Sequence, residues 1–125
     1  MGLIANSAFS RSWIIRLSES FTSRSYPFAI ELIEEKMVSC IRTSPNLKIE
    51  GIRFTLDQIQ EKENQIKIHA SHILGYGLTA RLLKKAEYET EVQIFICAKK
   101  LSRVSRLEEA FLLDLKNSIY FSEQS

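Results

Sequence analysis

The stretch Ile66-Lys67-Ile68-His69-Ala70-Ser71-His72-Ile73-Leu74-Gly75-Tyr76-Gly77-Leu78-Thr79-Ala80-Arg81-Leu82 decides the fold. Ile66, Ile68, Ala70, His72, Leu74, Tyr76, Leu78, Ala80 and Leu82 all carry even numbers, and a period of two marks strands with one buried face. A single strand over 65–85 would be ~70 Å long at ~3.3 Å per residue, in a chain whose radius of gyration is ~14 Å. The run must fold back, and Gly75-Tyr76-Gly77 offers the place. A loop of 75–77 with a left-handed Gly77 pairs Leu74 with Leu78, His72 with Ala80 and Ala70 with Leu82, so even meets even.

The same parity extends downstream. Tyr88, Thr90, Val92, Ile94, Ile96 and Ala98 continue the even face. A two-residue loop at 86–87 would set even against odd. Parity therefore selects Lys85-Ala86-Glu87, which pairs Leu82 with Thr90 and Ala80 with Val92 and sets Arg81 opposite Glu91. Upstream, Leu47 and Ile49 are odd while Ile52, Phe54 and Leu56 are even; a β-bulge at Gly51 would absorb the switch. The first hairpin turns through 62–64 or 61–63, and both registers stand open.

Helices flank the strands. Trp13, Ile14, Leu17 and Phe21 follow Ser10 at a spacing that predicts an amphipathic helix over 11–21. Pro27 suits a helix start, and Ile30, Ile33, Met37, Cys40 and Ile41 form the stripe of a helix over 27–43. Ser105 and Glu108 read as a capping box opening a helix over 105–117, with Leu107, Phe111 and Leu115 on its apolar face. The expectation is an α+β domain spanning 1–125. It has an antiparallel four-strand meander (47–59, 65–74, 78–84, 88–98) packed against the three helices, with 1–9 and 122–125 loose. The predicted core includes Ile33, Phe54, Ile68, Leu82, Ile94 and Phe111.

Composition agrees with one globular domain: 125 residues, 45% hydrophobic, 26% charged, with four Gly and two Pro. A formal charge of +2 does not announce a nucleic-acid binder. Cys40 and Cys97 have no metal-ligand spacing and read as free thiols in a reducing compartment. The start Met1-Gly2-Leu3-Ile4-Ala5-Asn6 lacks the pattern of a signal peptide, and no apolar run is long enough to span a membrane. The expected location is the cytoplasm, with no membrane partner.

No motif carries catalysis, and none ties the chain to a known family. His69 and His72 have opposite parity and cannot share a metal on a regular strand. His72 reads as a core histidine or a pocket acid–base group, and Cys40 as a buried thiol. Glu31 and Glu35 share a wet helix face, and Glu89 and Glu91 a polar sheet face with Arg81. Gly75-Tyr76-Gly77 is too short for a phosphate loop. No cofactor and no metal are expected.

Two features remain. Lys99, Lys100, Arg103 and Arg106 form a basic cluster between a strand and a helix, a candidate anion contact. On the otherwise polar odd face, Ile73, Phe95 and Cys97 are apolar, with Phe95 opposite Gly77 and Cys97 opposite Gly75 in the predicted register. They mark a candidate interface. The leading expectation is a non-enzymatic assembly or protein-interaction module that forms a homo-oligomer. The alternatives are a small-molecule or acyl-group binding domain, able to act as a weak enzyme, and an RNA-contacting protein.

Overall fold

The computed structural model describes residues 7–16, 29–98 and 101–124. A five-stranded antiparallel sheet is formed by β1 (Ser7–Arg16), β2 (Thr55–Lys62), β3 (Gln65–Ser71), β4 (Gly77–Ala86) and β5 (Glu89–Ala98). The spatial order is β1-β5-β4-β3-β2. Two helices, α1 (Ala29–Thr43) and α3 (Leu101–Gln124), pack on one face, and a short α2 (Pro45–Ile49) bridges α1 to the sheet. This is the expected α+β class, with one strand more.

The fifth strand corrects the helix expected over 11–21. Residues 11–16 belong to β1, which pairs along β5 from Ser7↔Ala98 to Arg16↔Glu89. Residues 17–21 lie outside the described ones. Trp13 and Ile15 pack against the core while Ile14 points outward, an alternation that the neighbouring isoleucines hide in a helical count. Residues 7–9, expected loose, also pair with β5.

Helix α1 forms where its stripe predicts. Ile30, Ile33, Met37, Cys40 and Ile41 are buried, and Leu32 with them, while Glu31 in the first turn and Arg42 in the last suit the helix dipole. Residues 27 and 28 are outside the described set. Leu47 and Ile49, read as the start of a strand, instead lie in α2. Ser44 ends α1 by donating its N–H to the Cys40 carbonyl at 2.9 Å. It then caps α2, its Oγ accepting from the Leu47 N–H at 3.2 Å, with Pro45 in the first turn. The parity switch at Gly51 is therefore a helix exit and not a bulge: Gly51 takes φ +82° as the chain leaves α2.

Two bulges do occur, elsewhere. One lies at Asp57, between the pairs Leu56↔Ala70 and Gln58↔His69. The other lies at Lys85, between Lys84↔Thr90 and Ala86↔Glu89. Each restores parity around a two-residue turn that strict alternation forbids: Glu63-Asn64, with Asn64 at φ 62°, and Glu87-Tyr88. The observed pairs are thus Leu82↔Val92, Ala80↔Ile94 and Arg81↔Gln93, in place of the register expected through 85–87.

The β3–β4 connection is also longer than expected. Ala70 pairs with Leu78 and Ser71 with Gly77, so 72–76 form a five-residue turn. The left-handed residue is Gly75, at φ +95°, and not Gly77. Even parity survives, because the whole register slips by an even number. Ile33, Phe54, Ile68, Leu82, Ile94 and Phe111 sit together in one buried core between sheet and helices.

Helix α3 starts at Leu101, ahead of the expected capping box. Ser105 is already one turn inside, and Glu108 is buried, so neither serves as a cap. The helix extends to Gln124 rather than 117.

Candidate interaction surfaces

Three regions gather the chain's polar chemistry. The first is the sheet face that no helix covers. Glu91 accepts from Ser12 Oγ at 2.8 Å and Gln93 Nε2 at 3.1 Å, and pairs with Lys85 Nζ at 3.2 Å. These hydrogen bonds hold its carboxyl below the usual carboxylate range. Arg16 Nε lies 3.0 Å from Glu89, and His69 Nδ1 is 3.2 Å from Thr79 Oγ1. Amid these satisfied groups stands Phe95, 40% exposed, between Thr79 of β4 and Ser10 of β1. Cys97 is half-buried beside Gly77. Ile73 lies beyond both of them, in the 72–76 turn and outside the sheet. The structure thus brings Phe95 and Cys97 together and sets Ile73 apart at the same end.

The second region is that end itself. His72 is no core histidine. Its ring is half-buried at the turn, where Nδ1 accepts from the Leu74 N–H at 3.2 Å and the ring centroid is 5.6 Å from that of Tyr76. The basic cluster is only partly available for anions. Arg103 donates to Glu50 Oε1 at 2.8 Å and to the Glu50 carbonyl, and its guanidinium stands 6.0 Å from the Tyr76 ring centroid. Arg106 is more exposed, 3.8 Å from the same Glu50 oxygen. Lys99 and Lys100 lie outside the described residues. Nearby, a cleft of about 240 Å³ between α1 and α2 is lined by Arg42, Ser44, Lys48 and Arg53 over Ile41 and Leu47. Arg42, Lys48 and Arg53 have no carboxylate partner among the described residues.

The third group is a set of carboxylates whose surroundings the sequence reading did not place. Glu34 of α1 meets Glu61 of β2. Burial, then the hydrogen bond and the charge of Glu61, then Glu31, push Glu34 up to about 7. The bulge at Asp57 explains the meeting: it turns the odd residues Ile59 and Glu61 toward the helix side, opposite Ile68 and Ile66. Asp114 of α3 fastens α2, accepting from Asn46 N–H at 3.0 Å, Asn46 Nδ2 at 2.6 Å and Ser44 Oγ. Glu108 is buried under β1 with Arg11 NH1 at 3.6 Å, and its other oxygen lacks a partner among the described residues. Burial raises its pKa, with Arg11 opposing in part.

Cys40 is buried as expected, and burial pushes its thiol up to about 11, with Asp114 adding to the shift. Among the described residues no group of His, Cys, Asp and Glu could hold a metal ion. No described helix is long and apolar enough to cross a membrane. No family model matches the chain, and no curated protein is significantly similar to it.

Proposed function

We propose that this chain is a non-enzymatic protein-interaction module that self-associates through the uncovered face of its sheet. The observation that carries the reading is Phe95, a large aromatic side chain left 40% exposed in the interior of a polar face. Exposed aromatics of this kind supply the anchors of protein interfaces. Glu89 and Glu91 on β5 are engaged within the chain by Arg16 and Lys85, while Arg81 and Lys67 lie on β4 and β3, so the face carries both signs of charge.

The alternatives have less support. A ligand-binding interior leaned on His72 and Tyr76 lining an inner pocket, and both belong to the turn. An RNA contact rests on Lys99, Lys100, Arg103 and Arg106 with the arginines near the N-terminus; of these, Arg103 is bound to Glu50, Arg106 stands 3.8 Å from the same carboxylate, and Lys99 and Lys100 lie outside the described residues.

Light scattering across a concentration series tests the proposal. The wild-type chain is expected to exceed the one-chain mass, and Phe95→Asp to return it to one folded chain, because a charge enters a desolvated contact. A wild-type mass of one chain at the highest concentration overturns the proposal. So does an oligomer that Phe95→Asp leaves intact.

A further inference from the structure

The three most exposed large apolar side chains among the described residues are Ile73 at 97%, Ile49 at 79% and Leu74 at 65%. They come from two separate segments, yet they belong to one end of the molecule. Arg103 joins the segments: it binds Glu50, the neighbour of Ile49, and stands over Tyr76, which closes the turn that carries Ile73 and Leu74.

The turn is built to present them. The Gly75 N–H donates to the His72 carbonyl at 2.9 Å, and the His72 N–H to the Tyr76 carbonyl at 2.9 Å. The Leu74 N–H is taken by His72 Nδ1 at 3.2 Å. Ile73 and Leu74 therefore occupy the two corner positions of a stitched turn. Such corners favour Asn, Asp, Gly, Pro or Ser, which solvate easily. Two aliphatic side chains there form a knob that protrudes and has no pocket to return to.

Positive charge gathers at the same end as the knob. Arg106 is largely exposed, and Thr55↔Ser71 pairing brings the exposed Arg53 to the same end of the sheet. Arg53 also lines the cleft with Arg42 and Lys48, which has no acidic residue in its lining. Of the acids near this end, Glu50 is engaged by Arg103 and Asp114 by Ser44 and Asn46, which leaves the exposed Asp57 at the β2 bulge.

We propose that this end of the molecule docks on an anionic lipid surface, with Ile73, Leu74 and Ile49 entering the interface and Arg53, Lys48, Arg42 and Arg106 meeting the headgroup phosphates. Protruding aliphatics with cations at the same end suit a soft, negatively charged boundary that is apolar a few ångströms below its surface. Nucleic acid offers no such layer, and its bases reward stacking on aromatic rings rather than on Ile or Leu. No spanning segment is needed, because the contact is interfacial.

Co-sedimentation of the full chain with phosphatidylcholine vesicles, with and without phosphatidylserine, tests this. Binding is expected only to the phosphatidylserine vesicles, weakening as salt rises past about 0.1 M, where screening shortens to ~10 Å. The double variant Ile73→Asp/Leu74→Asp should lower the partition coefficient about 100-fold or more, since two aliphatic side chains leave the interface and two acids face the lipid charge. Both side chains are exposed, so its melting curve should match the wild type. Arg53→Glu should weaken binding more gently and flatten the salt dependence. No binding to phosphatidylserine vesicles at low salt overturns the proposal. So does binding that the double variant leaves intact. A double variant that loses self-association while the wild-type chain ignores vesicles would assign the knob to a protein contact instead.

Discussion

Replacing Glu34 by Gln should remove a pH dependence from the stability of the fold. Glu34 is held at about 7 rather than its ordinary 4.5, first by burial and then by Glu61. The folded chain therefore binds the proton more tightly than the unfolded chain does. Stability is full below about pH 4.5, falls as pH rises toward about 7, and is flat beyond. The shift, 7 − 4.5, is about 2.5 units, and at 1.36 kcal/mol per unit it sets a ceiling near ~3.4 kcal/mol. Glu34 is only half-buried, so water screens much of this, and about 1 kcal/mol is the expected loss. Urea unfolding at about pH 5 and about pH 8 reads it as a midpoint drop of roughly 0.3–1 M, at a slope of ~1–3 kcal/mol per M. Other groups titrate too: Glu108, raised by burial, acts in the same direction, and Glu91, lowered by its hydrogen bonds, in the opposite one. The comparison with Glu34→Gln isolates the pair, because Gln stays neutral and can still donate to Glu61. The variant should match the wild type at about pH 5 and exceed it by about 1 kcal/mol at about pH 8. Parallel stability curves for the two proteins would refute the reasoning.

Phe54→Ala opens a void in the core and should cost ~3–5 kcal/mol in urea unfolding; a loss under about 1 kcal/mol would mean the void collapses or fills. Gly75→Ala should lose about 1–2 kcal/mol, because Gly75 sits at φ +95°, while Gly77→Ala should be near neutral. An added Cβ at Gly77 meets nothing nearer than the Cys97 Cβ at 4.0 Å. Equal thermal shifts in the two glycine variants would contradict the turn geometry.

Parity carried most of the sheet. The even residues are the buried ones throughout β3 and β5 and in β4 as far as Leu82. What parity cannot show is a single-residue insertion on one strand. The bulges at Asp57 and Lys85 each shift the count by one, and so permit the two-residue turns that alternation alone rejects. Glu61 is missed for the same reason: on strict alternation from Phe54 and Leu56 it faces water, and after the bulge it faces Glu34. In β1 the obstacle is different. It is an edge strand with few inward residues, and Trp13-Ile14-Ile15 reads as well at a helical spacing as at an alternating one. In the 72–76 turn, the even positions His72, Leu74 and Tyr76 continue an alternation that the backbone has already abandoned. The exposed Ile73 and Leu74 thus looked like members of a strand.

The pairing of β1 with β5 has a consequence for how the chain assembles. Partners in that ladder are 73 to 91 residues apart in sequence, from Arg16↔Glu89 to Ser7↔Ala98. The meander from β2 to β5 closes instead through turns of two to five residues. Ring closure over so many residues costs entropy before any contact repays it, so local hairpins have the kinetic advantage. During synthesis at ~5–20 residues per second, β1 emerges before β5 and waits roughly 4–18 s for that partner to exist. Of the described strands, the first made is the last to find its place, and until then β5 has a free edge to offer.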